Sequence, residues 1–266
     1  MKLAISNIAW DLQEEKEVLE VLNEFGIVGL EVAPTKVCPN PEQASDEVLS
    51  NYLNYWNQKN IKIIAMQSLL FNKGNLSIFG EANDSTLAYL ESVIYMASKL
   101  SAKALVFGSP KNRIVGNKNE KSAREEATVF FRKLGDAAYK NGVYVCIEAN
   151  PKEYGCDFIT STLEGLHFVQ DVDHAAVKLQ IDTGTMFVND EDPIKTLQTC
   201  LPFAGHFHIS EPFLEQIGKN NHSKIASFLN KINYDGWVSI EMKNNLNSNN
   251  VGSIRCALEY VKKTYI

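Results

Sequence analysis

The chain has 266 residues, 45% of them hydrophobic and 22% charged, which allows one large core and suits the usual size of a single (β/α)8 barrel. A formal net charge of −6 argues against a broad nucleic-acid-binding surface, which needs a basic face, so no nucleic-acid partner is expected. No apolar run approaches the roughly 20 residues of a membrane span. Met1–Trp10 lacks a signal-cleavage pattern, and Cys38, Cys146, Cys156, Cys200 and Cys256 show no CxxC spacing. A reducing, cytoplasmic setting without membrane contact is the expectation.

Short β-like runs alternate with amphipathic stretches along the whole chain. A strand is predicted at Leu3–Ser6, then a helix over Glu14–Phe25. Gly29–Val32 precedes a helix over Asp46–Lys59, Lys62–Met66 one over Ser85–Leu100, and Ala104–Phe107 one over Lys121–Asn141. In this last helix, Val129-Phe-Phe-Arg-Lys-Leu-Gly-Asp-Ala-Ala138 keeps apolar residues three and four apart, and Asn141-Gly142 ends it. Further strands are predicted at Val143–Ile147, Val177–Ile181, Gly205–His208 and Val238–Ile240, the last just after the turn signal Asp235-Gly236. Repeated βα units predict an α/β protein with a closed parallel barrel, one domain over residues 1–266. The alternative, an open doubly wound sheet, usually carries a Gly-rich phosphate loop after its first strand, and none is present. The longest loops, Ala33–Ser45, Gln67–Asp84 and Gly108–Lys121, all follow strands, where barrels place their active sites.

Four predicted strand ends deliver polar residues: Tyr144-Val-Cys-Ile-Glu148, Lys178-Leu-Gln-Ile-Asp182, Gly205-His-Phe-His208 and Val238-Ser-Ile-Glu241. Three carboxylates and one imidazole on strands five to eight can converge on one divalent cation, Mn²⁺, Mg²⁺ or Co²⁺, with Zn²⁺ as an alternative. Taken alone, Asp182 before Thr183-Gly184 could simply cap a turn, and a lone buried His208 would more often be a core residue. His206 faces the same side as His208, one layer deeper, where it would orient the site. Such an ion suits a hydroxyl–carbonyl pair, polarising the carbonyl and stabilising an enediolate. Glu148 and Glu241 would then act as acid and base on opposite faces of the reacting carbon.

The stretches Gly29-Leu-Glu31-Val, Ile147-Glu148-Ala-Asn150, Lys178-Leu-Gln-Ile-Asp182-Thr183, Gly205-His-Phe-His208-Ile-Ser-Glu211 and Tyr234-Asp-Gly-Trp237-Val-Ser-Ile-Glu241 resemble the xylose-isomerase-like barrels. Within them the resemblance is to sugar isomerases and epimerases related to D-tagatose 3-epimerase and hydroxypyruvate isomerase. It implies a metal at Glu148, Asp182, His208 and Glu241, a carbohydrate substrate, and pairing of barrels into homo-oligomers. Two positions depart from the epimerase pattern. Thr185 stands where a substrate-binding His often follows the metal-binding Asp, and Leu214 where an Arg often follows the metal-binding His.

Cations on the same rim offer replacements: Lys36, Lys111, Arg113 and Lys243 would suit a carboxylate, a phosphate or a nucleotide-linked sugar. Asn150, Glu153 and Tyr154 are placed beside the first ligand, with Glu211 beyond His208; His222 is a candidate contact dropping into the mouth or else a helix-entry residue, and Trp10 a candidate apolar wall, with packing beneath the first loop the favoured reading. Related readings are a keto-sugar or keto-cyclitol dehydratase on the same ligands, and a non-catalytic sugar-binding barrel. An abasic-site endonuclease would need more His ligands than the five in this chain supply.

Overall fold

The computed structural model describes residues 1–266. Strands β1 (Lys2–Ser6), β2 (Gly29–Val32), β3 (Lys62–Met66), β4 (Ala104–Phe107), β5 (Tyr144–Glu148), β6 (Val177–Asp182), β7 (Ala204–Ser210) and β8 (Trp237–Glu241) are all parallel and follow one another round a closed barrel, β8 pairing with β1. The first four strands lie where the sequence places them, give or take one residue. The last four run further than predicted, because the hydrogen-bonded ladder does not stop at the first polar residue. Glu148 pairs with Gln180, Asp182 with His208, and Ser210 with Glu241. The candidate ligands therefore sit within the ladder, on backbone that cannot swing.

Helices α1 (Glu15–Glu24), α2 (Pro34–Val37), α3 (Asp46–Asn57), α4 (Asn83–Lys99), α5 (Glu120–Lys140), α6 (Thr162–Val172), α7 (Thr183–Val188), α8 (Pro193–Cys200), α9 (Ser223–Lys231) and α10 (Asn250–Tyr265) complete the βα units. Their starts are chemically marked: the side chains of Ser45, Asn119, Ser161 and Asp192 accept backbone N–H groups of α3, α5, α6 and α8. The long loop after β2 is not wholly irregular, since Pro34 opens the single turn of α2. No helix is long and apolar enough to cross a membrane.

Apolar burial is divided unequally. A cluster of 67 buried residues fills the shell between sheet and helices, whereas only Ala4, Ile64, Ala65, Ala104 and Cys146 form a separate cluster. Stability thus resides outside the barrel, which leaves its middle free for polar side chains. Small residues let the strands close at the base: a Cβ at Gly29 would overlap both Trp237 and Ala4. Burial pushes the Cys146 thiol well above its ordinary range, so it packs as a small apolar group and not as a thiolate.

In the outer shell, Phe107, Phe131, Phe130, Phe168 and Phe158 form an edge-to-face chain with ring centres 5.1–5.6 Å apart, tying β4 to α5 and α6. Phe131 touches three of these rings and is 1% exposed. Phe131→Ala is expected to destabilise the barrel by about 3–5 kcal/mol, read as a lower urea midpoint with an unchanged slope.

Candidate metal centre

Ligand atoms of Glu148, Asp182, His208 and Glu241 all lie within 4.8 Å of one another at the carboxyl-terminal mouth of the barrel. His208 Nδ1 is 3.2 Å from Glu148 Oε1, 3.1 Å from Glu241 Oε2 and 4.0 Å from Asp182 Oδ2. The register explains the convergence: Asp182 and His208 are paired neighbours, and alternation turns both inward with Glu148 and Glu241. Glu148 Oε1 and His208 Nδ1 are buried without a hydrogen-bond partner. Unpartnered lone pairs among three buried carboxylates are costly in a protein interior. A divalent cation held by oxygen and imidazole nitrogen removes that cost, so these residues fit one.

The electrostatics point the same way. Burial, reinforced by the charge of Glu148, pushes Asp182 up to about 6, although His208, Ser210 and Thr185 oppose the shift. Burial also raises Glu148 and Glu241; His208 opposes both shifts, while Glu241 adds to that of Glu148 and Asp182 to that of Glu241. In the ion-free protein this crowding favours protons on the carboxyls, and a cation must displace them.

Each ligand is held from behind. Asp182 Oδ1 accepts from the Thr185 N–H at 2.6 Å and Oδ2 accepts from the Ser210 hydroxyl. Asp182 therefore caps α7 and reaches the cluster with the same carboxylate. Gly108 makes the room for Glu148, because a Cβ there would overlap Glu148 Oε2. Beneath His208 lies Glu31, wholly buried, with both carboxylate oxygens 3.1 Å from His208 Nε2. Burial alone would raise this acid, but the imidazoles of His208 and His206 outweigh it and hold it well below the usual carboxylate range. Neither Gly108 nor Glu31 stands out as a site residue in the sequence. The available signal was a charged residue inside the otherwise apolar run Gly29-Leu-Glu31-Val.

A cavity of about 950 Å³ opens over the cluster, within the range of small-molecule sites. Asn150, Glu153, Tyr154, Lys111, Lys243 and Glu211 line it with Glu148, Asp182 and Glu241, as do the departure positions Thr185 and Leu214. Thr185 is tied down, its hydroxyl donating to the Ala149 carbonyl at 2.9 Å. Glu211 is likewise engaged, accepting from the Gly218 and Asn220 N–H groups and contacting His222 Nε2 at 3.2 Å.

Five candidates lie outside this lining. Trp10 is in the core beneath the first loop. Lys36 turns back and donates to the carbonyls of Asn7 and Trp10, so its charge braces that loop. His222 is fully buried behind Glu211, with Nδ1 2.8 Å from the Tyr265 hydroxyl. His206 lies below His208, its Nε2 3.4 Å from Glu31 Oε1. Arg113 is buried with no partner for its guanidinium, and its charge lowers Glu148 from behind the lining. His206 and Trp10 lie at the depth the sequence reading favoured, whereas loop position did not reveal which way Lys36, Arg113 and His222 turn.

The family model described as xylose isomerase-like TIM barrel matches residues 19–264. The chain belongs to that family. It is 31% identical over 110 residues to D-psicose 3-epimerase of Agrobacterium fabrum, covering 41% of this chain and 38% of that protein. It is 28% identical over 112 residues to a putative hydroxypyruvate isomerase of Danio rerio, covering 40% and 38%. These alignments span about two fifths of each curated relative. A crystal structure of D-psicose 3-epimerase in the presence of D-fructose superposes with a TM-score of 0.81 at 19% identity, covering 100% of this chain and 99% of the other. At that identity the likeness is one of fold.

Because Asp182 is raised from 3.8 to about 6, its ionisation weakens the ion-free protein progressively across that interval and fully above it. Mn²⁺ should therefore raise the melting temperature most at neutral pH. Its calorimetric affinity should fall below pH 6 by roughly tenfold per pH unit for each proton displaced. Asp182→Ala should retain no ion after desalting. Gly108→Ala, which crowds Glu148, should weaken Mn²⁺ binding without unfolding the barrel, as checked by circular dichroism.

Proposed function

We propose that this protein is a divalent-cation-dependent isomerase or epimerase acting on a sugar or sugar derivative. The observation that carries the reading is the placing of two carboxylates, Glu148 and Glu241, on the same imidazole nitrogen at 3.2 and 3.1 Å, facing one cavity. The names of the relatives, psicose 3-epimerase and hydroxypyruvate isomerase, support the same class.

A bound Mn²⁺, Mg²⁺, Co²⁺ or Zn²⁺ supplies Lewis acidity toward a hydroxyl–carbonyl pair and offsets the negative charge that develops on its oxygens. The residues of the chain do the rest. Glu148 and Glu241 come from different strands, so one can take the proton from the carbon beside the carbonyl and the other can return it. Return to the same carbon from the opposite face inverts it; return to the neighbouring carbon moves the carbonyl. Burial raises both acids, bringing their proton affinities nearer to neutrality, where acid–base transfer is effective. Asn150, with Nδ2 3.4 Å from Glu148 Oε2, orients the first of them.

Thr185 and Leu214 occupy the wall without the positive or hydrogen-bonding reach that His and Arg would give. Lys111 and Lys243 supply cationic reach from other loops of the same wall, which favours a substrate carrying a carboxylate or phosphate.

Glu148→Gln and Glu241→Gln should each lower turnover by about 10²–10⁴-fold while leaving the fold intact. Proton transfer predicts solvent deuterium in the product by NMR; product formed in D₂O without label would instead show a hydride shift. Lys111→Ala and Lys243→Ala should raise KM for phosphorylated or carboxylated ketoses more than for neutral ones.

A further inference from the structure

We infer that Glu31 is a positioning residue that accepts from His208 Nε2 and so orients the ring with Nδ1 facing the metal centre. The inference rests on the cation-binding reading of the Glu148–Asp182–His208–Glu241 cluster, and concerns a residue outside it.

The two nitrogens of His208 face different surroundings. Nδ1 points at three carboxylates and has no hydrogen-bond partner. Nε2 points the other way, 3.1 Å from each oxygen of Glu31. A carboxylate can only accept, so with an ion at the carboxylate cluster taking the Nδ1 lone pair, Nε2 is the nitrogen that donates to Glu31. Neutral imidazole holds a single ring proton, and placing it on Nε2 leaves Nδ1 free to donate its electron pair. Without Glu31, nothing at Nε2 would hold the ring in this orientation.

Glu31 is itself held for this task. The Ser239 hydroxyl donates to Oε2 at 2.7 Å, and His206 Nε2 stands 3.4 Å from Oε1. The β2–β3 register shifts between Leu30 and Glu31, so that Leu30 pairs with Ile63 but Glu31 with Ala65. A bulge of this kind re-aims a side chain, here a carboxylate inside the barrel. A wholly buried acid is expensive to keep, and none of its contacts reaches the cavity surface. Its one contact with the metal centre is His208. Carboxylates behind metal-binding histidines typically contribute 10–100-fold in metal affinity.

The test needs no assayed substrate. In ¹⁵N-labelled wild-type protein loaded with diamagnetic Zn²⁺, long-range ¹H–¹⁵N correlations should show His208 protonated at Nε2; a proton on Nδ1 with the ion bound would overturn the inference without any variant. Mn²⁺ titration calorimetry should then give a Kd about 10–100-fold weaker for Glu31→Gln, which keeps the shape and loses the charge. Glu31→Asp should recover part of that loss. In Co²⁺-loaded protein, the visible absorption of Glu31→Gln should shift from that of wild type, which a purely structural defect elsewhere would not produce. Equal Mn²⁺ affinity in wild type and Glu31→Gln would remove Glu31 from this role and leave the metal centre standing. Failure of the wild type itself to bind Mn²⁺, Mg²⁺, Co²⁺ or Zn²⁺ would instead remove the reading on which the role depends.

Discussion

The concentration of negative charge at the mouth of the barrel is the constraint to which the surrounding structure answers. Three largely buried carboxylates face one imidazole nitrogen, and the nearest approaches are 3.1 and 3.2 Å. In a low-dielectric interior such a group is unfavourable by itself and becomes favourable around a cation. The supporting contacts each lower the freedom of one member. Asp182 is held by Thr185 and Ser210, Glu148 fits the hollow left by Gly108, and His208 is backed by Glu31. A site arranged this way has little conformational entropy left to lose on binding an ion.

The division of the core makes such a site affordable. Nearly all apolar burial lies between the sheet and the helices, where the aromatic chain through Phe131 contributes. The interior can then be layered differently: small residues at the base, then Glu31, His206 and Ser239, then the carboxylates at the mouth. In the middle layer Glu31 accepts from Ser239 and faces both imidazoles, so the barrel closes without a wholly hydrophobic filling. Placing the ligands on strands and the cavity wall on loops also separates the two tasks. The metal-site candidates stay on rigid backbone, while Lys111, Tyr154, Thr185, Leu214 and Lys243 line the cavity over them.

The wall of the cavity itself offers few uncommitted polar groups. Thr185 is committed to the Ala149 carbonyl, and Glu211 is committed to the loop that carries His222. Both residues face the cavity, but their polar atoms are largely used in holding neighbouring backbone. Lys111 and Lys243 are the cationic side chains left in that wall without such a commitment.

The sequence by itself determined the barrel and the set of metal-site candidates, because both arise from local periodicity. Apolar runs of strand length alternating with helical spacing specify βα units, and a polar residue at the end of such a run is legible as an inward-facing group at the rim. Tertiary structure alone decided the rest. Glu31 is distant in sequence from His208, and only closure of β2 across the barrel toward β7 and β8 brings it to Nε2 and to Ser239. The importance of Gly108 depends on an atom of the neighbouring strand, Glu148 Oε2. For Lys36, Arg113 and His222, position along the chain was readable but direction was not. A long or planar side chain on a loop turns toward whichever partner or packing space the folded molecule offers, and that choice is made through contacts between segments far apart in sequence.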